Sequence, residues 1–296
     1  VKNRKFEMLK RIDRLQIAVP DRAAVAEKWI ALLGAEPNGE DKIAALGAKR
    51  SRLRLGTGYI EILEPDGTGI VADAVNKRGG GHYFAAGVST DDVPALVAHM
   101  ASTGVETVSE GQQAFLAPEA TGNMGLRAVI SREETLPSVG AIDFLYEATL
   151  LVNDPDTAIA RCADVFALNR DIFVPIPSKE FGYNGSLTLF QPNRLFRFEV
   201  ITPVDMEKTL GRFFARTGPS FYMSFAECSQ LDLIAERAMA RGDGFTPVPS
   251  PIQDDQGRAE TIFLHPPSLG GMMLGLSRPT LAWRWSGAPD RVEKMS

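Results

Sequence analysis

The sequence predicts an α+β chain built from four copies of one βαβββ module, paired into two curled half-barrel sheets. Three observations predict it. The order strand, turn, helix, further strands restarts four times along the 296 residues. Glycine-rich joints fall where a copy should close or open, at Gly34, Gly79-Gly80-Gly81 and Gly218-Pro219. Phe115-Leu116-Ala117-Pro118 in the second copy returns as Phe263-Leu264-His265-Pro266 in the fourth, followed by Gly122-Asn123-Met124 and Gly270-Gly271-Met272. A repeat of this kind organises a whole fold.

The first module opens with the β-branched run Ile12–Val19, which ends at the turn signal Pro20-Asp21. Apolar residues at helical spacing predict a helix from Arg22 to Leu33, closed by Gly34. Strands are expected at Lys42–Leu46, Ser51–Leu55 and Tyr59–Leu63, split by Gly47 and by Gly56-Thr57-Gly58. The second module runs through a strand at Tyr83–Val88, a helix over Asp92–Thr103 and strands ending at Gly125–Ile130. The third has a strand at Phe144–Val152, a helix from Pro155 to Phe166 and strands through Phe196–Ile201. The fourth has a strand at Phe221–Phe225, a helix over Leu231–Arg241 and strands at Glu260–Leu264 and Met272–Leu276. One module of roughly 65 residues buries too little surface to be secure alone, so modules must pair. The expected domains are residues 1–132 and 141–296, joined by the acidic, proline-bearing linker 133–140.

Composition narrows the function classes. Hydrophobic residues make up 44% and charged residues 23%, as in soluble globular chains. A net charge of -5 disfavours nonspecific binding to a nucleic-acid backbone. No apolar run approaches the ~18 residues of a membrane span. The basic stretch Val1–Arg14 lacks the apolar centre of a secretion signal. Cys162 and Cys228 sit in apolar patterns and read as reduced core thiols, which suits a cytoplasmic location. The glycine triplet precedes a strand and lacks the order of a nucleotide loop.

The closing segment Phe263-Leu264-His265-Pro266-Pro267-Ser268-Leu269-Gly270-Gly271-Met272-Met273-Leu274-Gly275, together with Ile60-Glu61-Ile62-Leu63-Glu64-Pro65 and the fourfold repeat, resembles the vicinal oxygen chelate family. The family includes glyoxalase I, methylmalonyl-CoA epimerase, extradiol dioxygenases and bleomycin-resistance proteins. The pattern is most similar to its epimerase-like members. The resemblance implies a metal inside each curled sheet, held by His or Gln, Glu, His and Glu. Carried onto this chain, the first set is Arg14, Glu61, Tyr83 and Arg127, and the second is Glu147, Glu199, Tyr222 and Gly275. Gly275 stands where the family has its final metal-binding Glu. The three histidines, His82, His99 and His265, fall on none of these positions, which weighs against a two-histidine iron site.

Two readings of the first set stay open. Arg14 and Arg127 suit a carboxylate or phosphate. Equally, they suit a salt bridge to Glu61 in place of the metal. Arg52 and Arg54 share a face of the neighbouring strand and are expected on its solvated side. In the second set, two carboxyls in an apolar cavity should split their protonation, one staying neutral. Glu147 and Glu199 are therefore the expected acid and base, with Tyr222 as a donor to a developing oxyanion. Their alternative is structural pairing, with Arg197 on the face of Glu199. His265 is expected at a turn beside bound substrate.

The expected activity is that of an isomerase or lyase acting on a small anionic carbonyl compound, with no cofactor. A divalent metal on Glu147 and Glu199 is the alternative. A metal-free binding protein, or an extradiol-dioxygenase-like enzyme, is the rival function. Neither nucleic acid nor membrane is an expected partner, and a homodimer is left open.

Overall fold

A computed structural model describes residues 8–249, 258–284, 286 and 288–291. Half of the basic stretch read from Val1, residues 1–7, lies outside the described residues.

The first half of the chain runs β1 (Ile12–Ala18), α1 (Arg22–Leu33), β2 (Glu36–Ile43), β3 (Ala48–Leu55), β4 (Gly58–Pro65), α2 (Ile70–Arg78), β5 (His82–Thr90), α3 (Val93–Ser102), β6 (Thr107–Glu110), β7 (Gln113–Leu116) and β8 (Ala128–Arg132). The second half runs β9 (Phe144–Leu151), α4 (Pro155–Phe166), β10 (Val174–Pro175), β11 (Tyr183–Leu189), β12 (Arg197–Pro203), α5 (Thr209–Thr217), β13 (Ser220–Glu227), α6 (Leu231–Arg241), β14 (Phe245–Pro249), β15 (Ala259–Leu264), β16 (Met273–Ser277) and α7 (Pro279–Arg284).

Two eight-stranded curled sheets result. Their orders are β2-β3-β4-β1-β5-β8-β7-β6 and β10-β11-β12-β9-β13-β16-β15-β14. The orders are identical once eight is subtracted from the second, which is the α+β, four-module architecture expected from the repeat. In each module the first strand pairs parallel to the last, as β1 does with β4 and β9 with β12. The remaining described pairs are antiparallel.

Local chemistry explains the repeated turn from first strand to helix. Asp21 caps α1 by accepting from the Ala24 N–H at 3.0 Å. Asp92 does the same for α3 through Ala95, and Asp154 for α4 through Asp156 and Thr157. Such a cap satisfies helix N–H groups that otherwise have no partner. The fourth module has Gln230 at that place, with no side-chain cap. All seven residues of β1 are buried, as a central strand requires.

Two parts of the fold depart from the expected pattern. α2 and α5 each insert a helix between the last strand of one module and the first strand of the next. The strand expected at Lys42–Leu46 is instead β2, Glu36–Ile43, followed by a 3-10 turn at Ala44–Leu46. β2 is exposed along almost its whole length, so it needs no apolar residues to mark it, and its Pro and charges suit a sheet edge.

By packing density the chain separates into two compact units. One holds Val1–Ile12, Ala85–Glu134 and Glu147–Tyr222; the other holds Asp13–Phe84, Thr135–Tyr146 and Met223–Ser296. The first and fourth modules thus share one unit, and the glycine turns show how closely. A Cβ on Gly81 would lie 2.1 Å from the Gly270 carbonyl oxygen, and one on Gly271 would lie 1.8 Å from that of Gly81. Backbone approach that close admits only glycine. The triplet is therefore a packing device. Cys162 and Cys228 are buried and unpaired, and burial pushes both thiols up to about 12. Among the described residues no helix is long and apolar enough to cross a membrane.

Candidate functional site

Strand register decides which side chains share a face. In the first half Gln16 lies opposite Glu61, and Glu61 lies opposite Arg52. In the next row Arg14 lies opposite Tyr59, and Tyr59 opposite Arg54. Because strand side chains alternate, these six residues and Arg50 occupy one face of the sheet. The apolar residues Leu53, Leu55, Ile60 and Ile62 take the other, and α1 packs on these strands.

At the centre of the polar face is Glu61, fully buried. Arg14 Nη1 donates to Glu61 Oε1 at 2.8 Å, Arg50 Nη1 donates to the same oxygen at 3.1 Å, and Gln16 Nε2 donates to Oε2 at 2.7 Å. Arg14 also donates to Asp13 at 2.6 Å, and Arg50 to Asp41 at 2.5 Å. Burial alone would raise the Glu61 carboxyl, but the Arg14 and Arg50 guanidiniums overcome it and hold the group down to about 2. Arg14 is likewise penalised by burial, and Asp13 and Glu61 raise it well above its ordinary value. Of the two readings of Arg14, the structure draws the salt bridge. Arg52 and Arg54, expected on a solvated face, in fact share the face of Glu61. A single strand's alternation says which residues lie together; only cross-strand register says with what.

Tyr83 and Arg127 are the other members of the first set. Tyr83 is buried, and burial raises its phenol, with Ser224 partly offsetting. Arg127 immediately precedes β8. Burial pulls it down to about 10, with Glu119 partly offsetting.

The second half repeats the geometry with different chemistry. Arg197 lies opposite Glu147, and Glu199 opposite Thr149. On the far side of β12, Glu199 faces Leu187 and Arg197 faces Leu189. Arg197 Nε donates to Glu147 Oε2 at 2.7 Å. Thr149 Oγ1 lies 2.7 Å from Glu199 Oε2 and 3.2 Å from Glu147 Oε1, bridging the pair. All four residues are buried.

Glu199 has no guanidinium of its own. Burial and the neighbouring Glu147 charge push its carboxyl up to about 8, so the neutral form keeps a proton that it shares with Glu147. Tyr183 belongs to the same group: burial, then the charges of Glu199 and Glu147, raise its phenol.

An apolar cluster continues the face: Leu151, Ile176, Leu187, Leu189, Ile201 and Leu210, with Tyr183, Phe213, Phe214 and Tyr222 packed against it. Leu210, Phe213 and Phe214 come from α5, so the inserted helix packs on the apolar cluster that shares a face with the polar pair. Tyr222 meets Phe213 edge to face, with ring centroids 4.9 Å apart, and burial raises its phenol. The structure thus brings Glu147 and Glu199 together, with Tyr222 in the cluster beside them. Sequence reasoning missed Thr149 and Tyr183. Thr149 was legible in principle, two residues along the strand from Glu147; Tyr183 requires the β11–β12 register.

Gly275 and His265 have local explanations. A Cβ on Gly275 would lie 2.3 Å from the Phe225 ring. That ring stacks on Tyr146 at 5.9 Å and meets Phe263 edge-on at 5.7 Å. A glutamate at 275 would have to displace it. His265 Nε2 is 2.9 Å from the Thr246 hydroxyl, and its backbone N–H donates to Gly244, so it ties the last hairpin.

The family metal has a poor fit to these donors. Both oxygens of Glu61 already accept from guanidinium or amide, and Glu147 accepts from Arg197. Guanidiniums donate only and cannot ligate a cation. Among the described residues no group of three His, Cys, Asp or Glu is placed to hold a metal ion.

One solved structure shares the fold over nearly the whole chain. A variant of 4-hydroxymandelate synthase from Streptomyces coelicolor is similar over 97% of this chain and 100% of its own, with a TM-score of 0.69 at 13% identity. Methylmalonyl-CoA epimerase from Mycobacterium tuberculosis matches 47% of this chain and 89% of its own, with a TM-score of 0.39 at 20% identity. A variant of the Streptomyces coelicolor epimerase, in complex with 2-nitronate-propionyl-CoA, matches 44% and 99%, with a TM-score of 0.38 at 23% identity. No protein of curated function matches the sequence. The model of the Glyoxalase/Bleomycin resistance protein/Dioxygenase superfamily matches residues 13–118, which include Arg14 and Glu61. Residues 13–118, about a third of the chain, are thus similar in sequence to that superfamily, and the chain as a whole shares the fold of the synthase.

Proposed function

We propose that the chain is an isomerase or lyase that moves a proton on a small anionic carbonyl compound, using the Glu147–Glu199 pair without a chelated metal. One observation carries the reading: two buried carboxyls share a face, one is ion-paired to Arg197, and the other is pushed up to about 8. A carboxyl poised near neutrality is the form general acid–base catalysis needs. Glu199 serves as the acid, and Glu147, oriented by Arg197 and Thr149, as the base. Tyr222 and Tyr183 are neutral phenols that donate to an oxyanion as it develops. The aromatic cover from Phe213, Phe214 and Tyr222 suits an aromatic acid or an acyl thioester, and it excludes water from the transfer. The substrate meets this site in the cytoplasm. Arg14 and Glu61, engaged with each other, are left to support the first sheet, and His265 to support a hairpin.

The test is proton exchange. Wild-type protein is incubated in deuterated water with a panel of 2-oxo acids, aryl-substituted acids and acyl thioesters, and substrate C–H loss is followed by NMR. Exchange on one class, reduced about 100-fold or more in Glu199→Gln and Glu147→Gln, is the expected result. Exchange unaffected by both substitutions removes these residues from the chemistry. A second reading, sequestration without reaction, is favoured by the internal satisfaction of the polar pair. Its signature is a ligand that binds in the panel and returns undeuterated.

A further inference from the structure

We infer that the polar face of the first sheet is a binding site for a small organic anion, a carboxylate or a phosphate ester that also carries a hydroxyl or N–H group, recognised by Arg52, Arg54 and Gln16. The inference does not depend on the chemistry of the second sheet.

Four guanidiniums crowd this face. Arg14 and Arg50 are matched, by Asp13, Asp41 and Glu61. Arg52 and Arg54 make no ion pair with any of the described residues. Arg52 makes no hydrogen bond to any of them, and its Nε is buried. Arg54 donates once, to the Pro137 carbonyl at 2.5 Å, and its Nε is also buried without a partner. Glu36, opposite Arg54 across the β2–β3 pair, is exposed and makes no ion pair with it. Two guanidiniums with buried Nε–H groups, no hydrogen-bond partner there and no ion pair form an unanswered planar donor set, the kind that matches carboxylate and phosphate oxygens. A buried donor left without a partner costs about 1–3 kcal/mol, so an occupant recovers that penalty at each Nε.

Gln16 adds an independent requirement. Its side chain is fully buried. Its Nε2 is committed to Glu61 Oε2 at 2.7 Å, which fixes the amide orientation, because a carboxylate cannot accept from the amide oxygen. Gln16 Oε1 is consequently left as a buried acceptor with no partner. Gln16, Glu61 and Arg52 form one row across three neighbouring strands, and Arg14, Tyr59 and Arg54 the next. The Arg14 and Arg54 guanidiniums lie 5.0 Å and 5.6 Å from the centre of the Tyr59 ring, which positions both. A ligand on this grid places its anionic oxygens on Arg52 and Arg54 and its donor on Gln16. The two matched arginines hold the floor rigid beneath it.

Binding of glycolate, acetate and inorganic phosphate is measured by calorimetry at matched ionic strength, together with the Nε–H resonances of Arg52 and Arg54. The proteins are the wild type, the double variant Arg52→Gln/Arg54→Gln and a control of lower charge change, Arg241→Gln. The expected result is saturable binding to wild type and control, weakened about tenfold or more in the double variant, with shifts in both Nε–H signals. Glycolate binding more tightly than acetate supports the Gln16 contact, and equal affinity overturns that contact. Tightest binding of phosphate assigns the natural ligand to phosphate compounds; tightest binding of glycolate assigns it to hydroxy acids. No saturable binding, or equal binding by the double variant, overturns the site. Failure here leaves proton exchange at Glu199 untouched, so the two proposals fall separately.

Discussion

Glu61 and Glu199 hold equivalent places in the two halves, yet their surroundings drive them apart. Burial opposes ionisation at both. Two guanidiniums and an amide answer it at Glu61, whereas Glu199 has a carboxylate neighbour, a threonine and a phenol. The same fold position is thus a structural anion in one half and a titrating acid in the other. Gly275 is governed by packing: with a Cβ 2.3 Å from the Phe225 ring, Gly275→Ala must displace an aromatic stack. Overpacking of this kind costs about 1–3 kcal/mol, and a denaturant midpoint lowered at unchanged slope is the expected reading. At this scale the sequence was partly legible. Glu147 and Glu199 emerge from the repeat and from alternation along single strands. Thr149 and Tyr183 act through neighbours that only cross-strand register brings together, and the same gap put Arg52 and Arg54 on the wrong side of their sheet.

Among the elements, α5 matters most for the site, and it was not anticipated. Nine residues between Lys208 and Gly218 contain Gly211 and two adjacent phenylalanines, a pattern too short to separate from a loop by period alone. Its role shows only in where Leu210, Phe213 and Phe214 land. Because burial is the leading cause of the Glu199 shift, loosening this cover should lower it. In Phe213→Ala, the Glu199 midpoint should fall from about 8 towards the ordinary carboxylate range, read by pH titration. An unchanged midpoint would remove α5 from the account. The capped helices behave differently. α1, α3 and α4 were legible because an acidic cap and apolar spacing coincide, and Asp154→Ala should cost about 0.5–2 kcal/mol in chemical denaturation.

The whole molecule should feel both glutamates through the pH dependence of its stability. Glu61 is held down to about 2 in the folded state, below its unfolded value, so its contribution is present above the unfolded value and is lost as pH falls towards 2. Glu199 has the opposite sign. Its folded value of about 8 lies above the unfolded one, so the folded state keeps a proton that the unfolded state releases, and stability declines as pH rises towards 8. Denaturation followed across this range should show both limbs, and Glu199→Gln should remove only the one that ends near pH 8. The overall architecture was the most legible feature, since four restarts of one module dictate two sheets of identical strand order. Which modules pack into one compact unit was not legible, because Gly81 and Gly271 meet through backbone that carries no side-chain signal.

The central claim is that the second sheet holds a carboxyl pair whose protonation is split near neutral pH. Direct titration of carboxyl 13C resonances in glutamate-labelled protein tests it most plainly. The account predicts one glutamate titrating near pH 8, absent in Glu199→Gln. A full set of carboxyls titrating in the ordinary acidic range, with Glu199→Gln removing one of those, would contradict it.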